Sequence, residues 1–290
     1  MTRRDRVLAA LSFNFLLDEM ANGIGGLDPL DALLVLAINQ ANIAPLTRDP
    51  EARARYGDIN APAPDDERRP VSINAVAASL GLAFETVRRR IRRLTAAQVC
   101  QLSGEGVVVP ASFLISPGYV ASVMQGHERL RRFYFELKAA GLLDGLPAPN
   151  FETDSVPVRA AARLLADYLL RACEGLMRES GNAISVMLLV ALLAPALADE
   201  GRASGAPRTI SVRGVAMRLK LSAETARRHC AELAEDGLCI RASGGTLVPE
   251  DALGRPGLRL LLAENAANVQ RLMAGLAERG VVQAWEAARA

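Results

Sequence analysis

The 290-residue sequence predicts a mainly α-helical protein made of two repeated units, each a pair of short helices, a tight turn and a β-hairpin between longer flanking helices. Three observations predict it. A block recurs at a fixed offset, its apolar residues keep a helical period, and each copy then switches to a short β-branched hairpin. Composition agrees: half the residues are hydrophobic, 23% are charged and only 4% aromatic, which favours folded helices over strands or disorder.

The repeat sets VSINAVAASLGLAFETVRRRIRRLTAAQVCQLSGEGVVVPASFL (71–114) over ISVRGVAMRLKLSAETARRHCAELAEDGLCIRASGGTLVPEDAL (210–253), without a gap, at an offset of 139 residues. Roughly a third of the positions are identical, the mark of a repeated structural unit. The offset carries on downstream, where Leu130, Phe133 and Leu137 meet Val269, Leu272 and Leu276. Upstream, DALLVLAINQANI (31–43) resembles SVMLLVALLAPAL (185–197). The first copy then adds a polar, proline-rich stretch at 44–70, expected at the surface and partly mobile. DGLPAPNFETDSVP (144–157) has linker composition, which divides the chain into domains at 1–147 and 148–290.

Within the first copy, residues 72–80 read as a short helix with Ile73, Val76, Ala77 and Leu80 inward. A turn at Gly81-Leu82-Ala83 leads to a second helix from Phe84, whose Val87, Ile91 and Leu94 fall at i, i+4, i+7. Two short helices joined by a turn containing glycine are a helix-turn-helix signature. VCQLSGEGVVVP (99–110) and LCIRASGGTLVP (238–249) read as hairpins. Helices at 118–140 and 257–279 follow, with apolar stripes including Tyr134 and Met273. The aromatic group Tyr119, Phe133, Tyr134 and Phe135 fits core packing better than a pocket border.

A helix, a helix-turn-helix and a β-hairpin in that order resemble the winged helix-turn-helix fold of bacterial transcription regulators. The phrases ETVRRRIRRLTAAQV and ETARRHCAELAEDGL are similar to recognition helices of GntR-, MarR- and Lrp-type regulators. The resemblance implies two duplicated winged helix-turn-helix domains, double-stranded DNA as partner and a homodimer formed through flanking helices; a cytoplasmic location is expected separately, from cysteines suited to a reducing compartment and from the apolar runs, which read as neither signal peptide nor membrane span. With Val87, Ile91 and Leu94 buried, helical geometry leaves Glu85, Arg88, Arg89, Arg92 and Arg93 on the opposite face and Arg90 at the edge of the stripe. Arginine forks suit guanine edges and phosphates, and Thr86 near the helix start suits a phosphate. The second copy keeps Thr225, Arg227 and Arg228 but has Ala231 for Arg92 and Glu232 for Arg93, so weaker attraction to phosphates is expected there. Arg241 on the second hairpin is a further candidate contact. Glu105 argues against a first wing deep in a minor groove, and RRDR (3–6) reads as a basic arm or a solvated terminus.

Other chemistry finds no foothold in the sequence. Cys100, Cys173, Cys230 and Cys239 form no CxxC pair and stand near no histidine cluster, so neither a zinc site nor a disulfide framework is expected. No P-loop, GxSxG, HExxH or complete GxGxxG occurs, so no enzyme activity, cofactor or metal is expected. The opening apolar run contains Asn14 and stops at Asp18, unlike a signal peptide. AISVMLLVALLAPALA (183–198) is short for a membrane span and contains Pro195, so it reads as a buried core helix. Two rival readings share the architecture: a protein-interaction scaffold of the chromosome-segregation type, favoured by the acidic second helix, and a plasmid replication initiator.

Overall fold

The computed structural model describes residues 1–150, 156–198 and 209–289. Its helices are α1 (Arg3–Asn22), α2 (Pro29–Ile43), α3 (Pro50–Arg55), α4 (Ile73–Ser79), α5 (Phe84–Ala96), α6 (Ala111–Leu114) and α7 (Pro117–Ala139). After these come α8 (Val158–Ser180), α9 (Ala183–Ala198), α10 (Val212–Arg218), α11 (Ala223–Glu235), α12 (Glu250–Leu253), α13 (Pro256–Glu278) and α14 (Val281–Ala287). Two hairpins interrupt them: β1 (Gln101–Ser103) with β2 (Gly106–Val108), and β3 (Ile240–Ala242) with β4 (Gly245–Leu247). The chain is mainly α, as its composition predicts.

Contacts divide the chain into two compact units. One, centred on α9, comprises Met1–Asn22, Arg132–Asp144 and Arg171–Gln270; the other, centred on α2, comprises Gly23–Arg131, Gly145–Leu170 and Arg271–Ala290. This division does not follow the boundary drawn near residue 150, part of which lies outside the described residues. The physical reason lies in α9, whose side chains from Ala183 to Ala194 are almost all buried and therefore need cover on every side. In that unit α1 packs along α9, with Leu8, Phe13, Leu16 and Leu17 among its buried residues. Phe15 also stacks on Phe133, ring centroids 4.4 Å apart. No single helix among the described residues is long and apolar enough to cross a membrane.

In the α2 unit, Ser72 caps α4 by accepting from the Ala75 N–H at 3.1 Å, a helix start that serine favours. Val76, Ala77 and Leu80 of this segment are buried, as are Val87, Ile91 and Leu94 of α5. Asn42, fully buried on α2, fixes the hairpin: its amide donates to the carbonyls of Arg69 and Val107 and accepts from the Val109 N–H at 3.0 Å. The 44–70 stretch, expected to be a mobile surface loop, instead carries α3 and a small apolar cluster of Ala52, Tyr56 and Ala63. Arg68, only 4% exposed, holds it down by donating to the Ala63 carbonyl and to Asn39 Oδ1.

The α9 unit repeats this plan. Ser211 caps α10 and Ser222 caps α11, accepting from the Gly214 and Thr225 N–H groups. Ala226, Cys230 and Leu233 form the buried stripe of α11. In both units the residue before the first short helix adds a bridge to the hairpin: Val71 pairs with Val107, and Ile210 with Thr246. The bridge brings backbone so close that only glycine fits beside it. A Cβ on Gly106 would lie 2.6 Å from the Val71 carbonyl oxygen, and one on Gly245 2.4 Å from that of Ile210, each at a φ that favours glycine. Gly245→Ala is expected to break the bridge at a cost on the order of 2 kcal/mol. Hydrogen exchange would register it as lost protection at the Ile210 and Thr246 amides, which donate to each other's carbonyls.

Candidate nucleic-acid interface

On α5 the structure separates the arginines into two classes. Arg89 and Arg92 are exposed and, among the described residues, have no hydrogen-bond or ion-pair partner. Arg88 is bound along the helix to Glu85, with Nε 3.0 Å and Nη2 2.8 Å from Oε2. Arg90 and Arg93 turn toward the start of α2. Arg90 Nη1 reaches Asp31 Oδ1 at 2.6 Å and both Asp28 oxygens at 3.0 Å; Arg93 Nη2 reaches Asp28 Oδ2 at 3.0 Å and also Asp31. Asp28 itself caps α2, accepting from the Asp31 N–H. Burial pushes its carboxyl up, but that hydrogen bond and the two guanidiniums outweigh burial and leave it below the usual range. The hydrogen bond and charge of Asp31 raise the Arg93 guanidinium. Arg93, assigned by helical geometry to the free face, is thus engaged within the chain, while Thr86 is only half-exposed.

The α9 unit holds a different set of groups at the matching places. His229 stands where the first copy has Arg90, Glu232 for Arg93, Ser185 for Asp31 and Asn182 for Asp28. Asn182 Oδ1 accepts from the Ser185 N–H as Asp28 does from Asp31. His229 Nδ1 lies 2.8 Å from Ser185 Oγ and 2.9 Å from Glu232 Oε2. A carboxylate only accepts, so Nδ1 carries the proton. Part of the charge difference between the two helices is therefore internal: where the α2 unit has an ion cluster of two arginines and two aspartates, the α9 unit has a hydrogen-bonded set whose one charged member is Glu232. At the place of Arg92, an exposed cation with no partner among the described residues, the second helix has Ala231.

Of the remaining candidates, Arg227, Arg228 and Arg241 are exposed and Thr225 is half-buried, and those on α11 are tied along their own helix. Arg227 pairs with Glu224 at 2.9 Å and Arg228 lies 3.9 Å from Glu232. The Thr225 hydroxyl lies 2.7 Å from Ser222 Oγ. Arg241 is exposed on β3, opposite Thr246. In the RRDR segment, Arg4 pairs with Asp144, and Arg6 with Glu250 at 2.7 Å, so neither belongs to a free arm. Sequence reasoning missed Phe84, whose spacing continues the buried stripe but which is 44% exposed at the first turn of α5. It also missed the exposed cations Arg213 and Lys220 around the second helix-turn-helix.

Neither the cysteines nor the flanking stripes offer another site. All four thiols are buried; burial pushes Cys100, Cys173 and Cys239 up to about 12 and raises Cys230 as well, so they stay protonated at neutral pH. Leu130, Phe133, Tyr134, Leu137, Val269, Leu272, Met273 and Leu276 are all buried within one chain. These stripes are core rather than a face open to a second copy.

Burial also lowers His229, against the opposing pull of Glu232. Its folded value thus lies below the ordinary 6.5, so the unfolded chain takes up the proton first. Stability is expected to fall as pH drops through 6.5 and to level off below the folded value. Thermal unfolding between neutral pH and the acid side of this window should show the loss in the natural chain and less of it in His229→Gln; equal pH dependence would exclude His229 as its source.

Residues 206–252, of which 209–252 are described, match the family model of the DeoR-like helix-turn-helix domain. The match covers α10, α11 and the second hairpin, and it names the DeoR type where the sequence resemblance named GntR, MarR and Lrp. No curated protein and no solved structure matches the chain. A helix-turn-helix DNA-binding domain of this type supports a bacterial transcription regulator that binds double-stranded DNA.

Proposed function

We propose that the chain regulates transcription through two winged helix-turn-helix modules, residues 71–114 and 210–253, with α5 and α11 as the recognition helices. The observation that carries the reading for α5 is the contrast among its arginines: Arg90 and Arg93 are neutralised by acids of α2, whereas Arg89 and Arg92 stand side by side, exposed and unpaired. Two such forks suit phosphates or guanine edges, and Phe84, exposed at the first turn of the same helix, suits a thymine methyl. For α11 the DeoR-like match carries the reading, with Arg227, Arg228 and Arg241 as backbone contacts.

The test is binding of a labelled duplex across a salt series. Five phosphate-contacting cations, Arg89, Arg92, Arg227, Arg228 and Arg241, give a slope of log K against log salt of about −4.5. A flat response would sink the reading and favour a protein partner, for which the acidic end of α11, Glu232, Glu235 and Asp236, offers the recognisable surface.

A further inference from the structure

A second concentration of arginine lies in the α2 unit, away from the recognition helix. A cavity of about 300 Å³, at the lower end of the range for small-molecule sites, opens between the end of α2, the first turns of α8 and the end of α13. Its lining includes Gln40, Thr47, Leu164, Asp167, Arg163 and Arg279. Behind it, Arg68 and Arg159 are nearly fully buried, and their hydrogen-bond acceptors are neutral oxygens. Arg159 donates to the carbonyls of Asp58, Ile59 and Leu114, and Arg68 to that of Ala63. Carbonyls satisfy hydrogen bonds without cancelling charge. The nearest acid to Arg68, Asp65, is 3.6 Å away and itself half-exposed.

Arg163 takes the consequence. It is half-buried, its own carbonyl accepts from Gln40 at 3.0 Å, and its guanidinium has no hydrogen-bond or ion-pair partner among the described residues. Burial first, then the charges of Arg159 and Arg68, bring it down to about 10, so it remains a cation at neutral pH in a place that disfavours one. A half-buried guanidinium that lines an accessible cavity, feels the charges of Arg159, Arg68 and Arg279 and has one carboxylate, Asp167, in the same lining is costly by itself and suited to a counter-ion. We propose that this cavity binds a small molecule bearing an oxyanion, carboxylate or phosphate, with Arg163 as its counter-charge. The proposal is independent of how the chain meets DNA.

Thermal unfolding of the full chain in sodium phosphate, sodium succinate and sodium chloride, at equal ionic strength and neutral pH, tests it. One of the first two should raise the midpoint by about 3 °C or more over chloride, and which one does separates phosphate from carboxylate. Arg163→Gln should abolish the rise while unfolding in chloride no earlier than the natural chain, because it removes an unpaired charge. Ala44→Leu, which narrows the cavity and keeps Arg163, should reduce the rise. The Arg89→Ala/Arg92→Ala chain should keep it. No rise with either anion in the natural chain, or a full rise in Arg163→Gln, overturns the proposal.

Discussion

Replacing both Arg89 and Arg92 by alanine is expected to lower duplex affinity about 60-fold at 0.1 M salt and to reduce the magnitude of the salt slope by about 1.8, the share of two phosphate contacts. Stability should change by no more than about 0.5 kcal/mol, since neither side chain has a partner among the described residues. That combination is informative. A variant that loses affinity while its unfolding midpoint stays put has lost contacts to the ligand and not the shape of the helix. An unchanged slope would mean that α5 does not meet phosphates. On α11, Arg227→Ala/Arg228→Ala should produce a smaller change, because both guanidiniums are already partly screened by Glu224 and Glu232.

The largest stability effect is expected at Asp31. Its side chain is 5% exposed and it is the more buried acid holding Arg90, itself only 21% exposed. Asp31→Ala leaves a largely buried guanidinium short of a counter-ion and is expected to cost about 3 kcal/mol; the Arg93 contact adds little, because that side chain is 60% exposed. Calorimetry should register a fall in midpoint on the order of 10 °C. The other unit supplies a rescue. Carrying its whole set across, Asp28→Asn, Asp31→Ser, Arg90→His and Arg93→Glu together, should recover most of the loss, whereas Asp31→Ser alone should not. A loss of less than about 1 kcal/mol in Asp31→Ala would show that solvent, rather than the acid, satisfies Arg90.

Much of segments 71–114 and 210–253 was legible because local rules decide it. Apolar spacing placed Val87, Ile91 and Leu94 inward, serines marked the helix starts at 72 and 211, and β-branched residues flanked the hairpin turns. The fate of Arg93 was not legible from α5 alone. Periodicity says which side of a helix faces the core, but a charge at the flank is solvated or paired according to what packs beside it. A usable signal existed in the spacing: Asp28 and Asp31 are three apart at a helix start, and Arg90 and Arg93 are three apart at a helix edge, so two forks match two acids. The assignment of α1 to the unit of α9 lay beyond reach for a related reason. An apolar helix announces that it needs cover, yet nothing in its own residues names the segment that provides it.

The partnership of α1 with α9 also has a consequence in time. About 160 residues separate the end of α1 from the start of α9, so at 5–20 residues per second the ribosome makes α1 roughly 8–30 seconds ahead of its partner. Through that interval Leu8, Phe13 and Leu16 travel without the surface they finally cover, and the nascent chain is a client for any holdase that recognises a short apolar helix. Synonymous changes that slow translation between residues 23 and 182 would lengthen the wait without altering a single side chain.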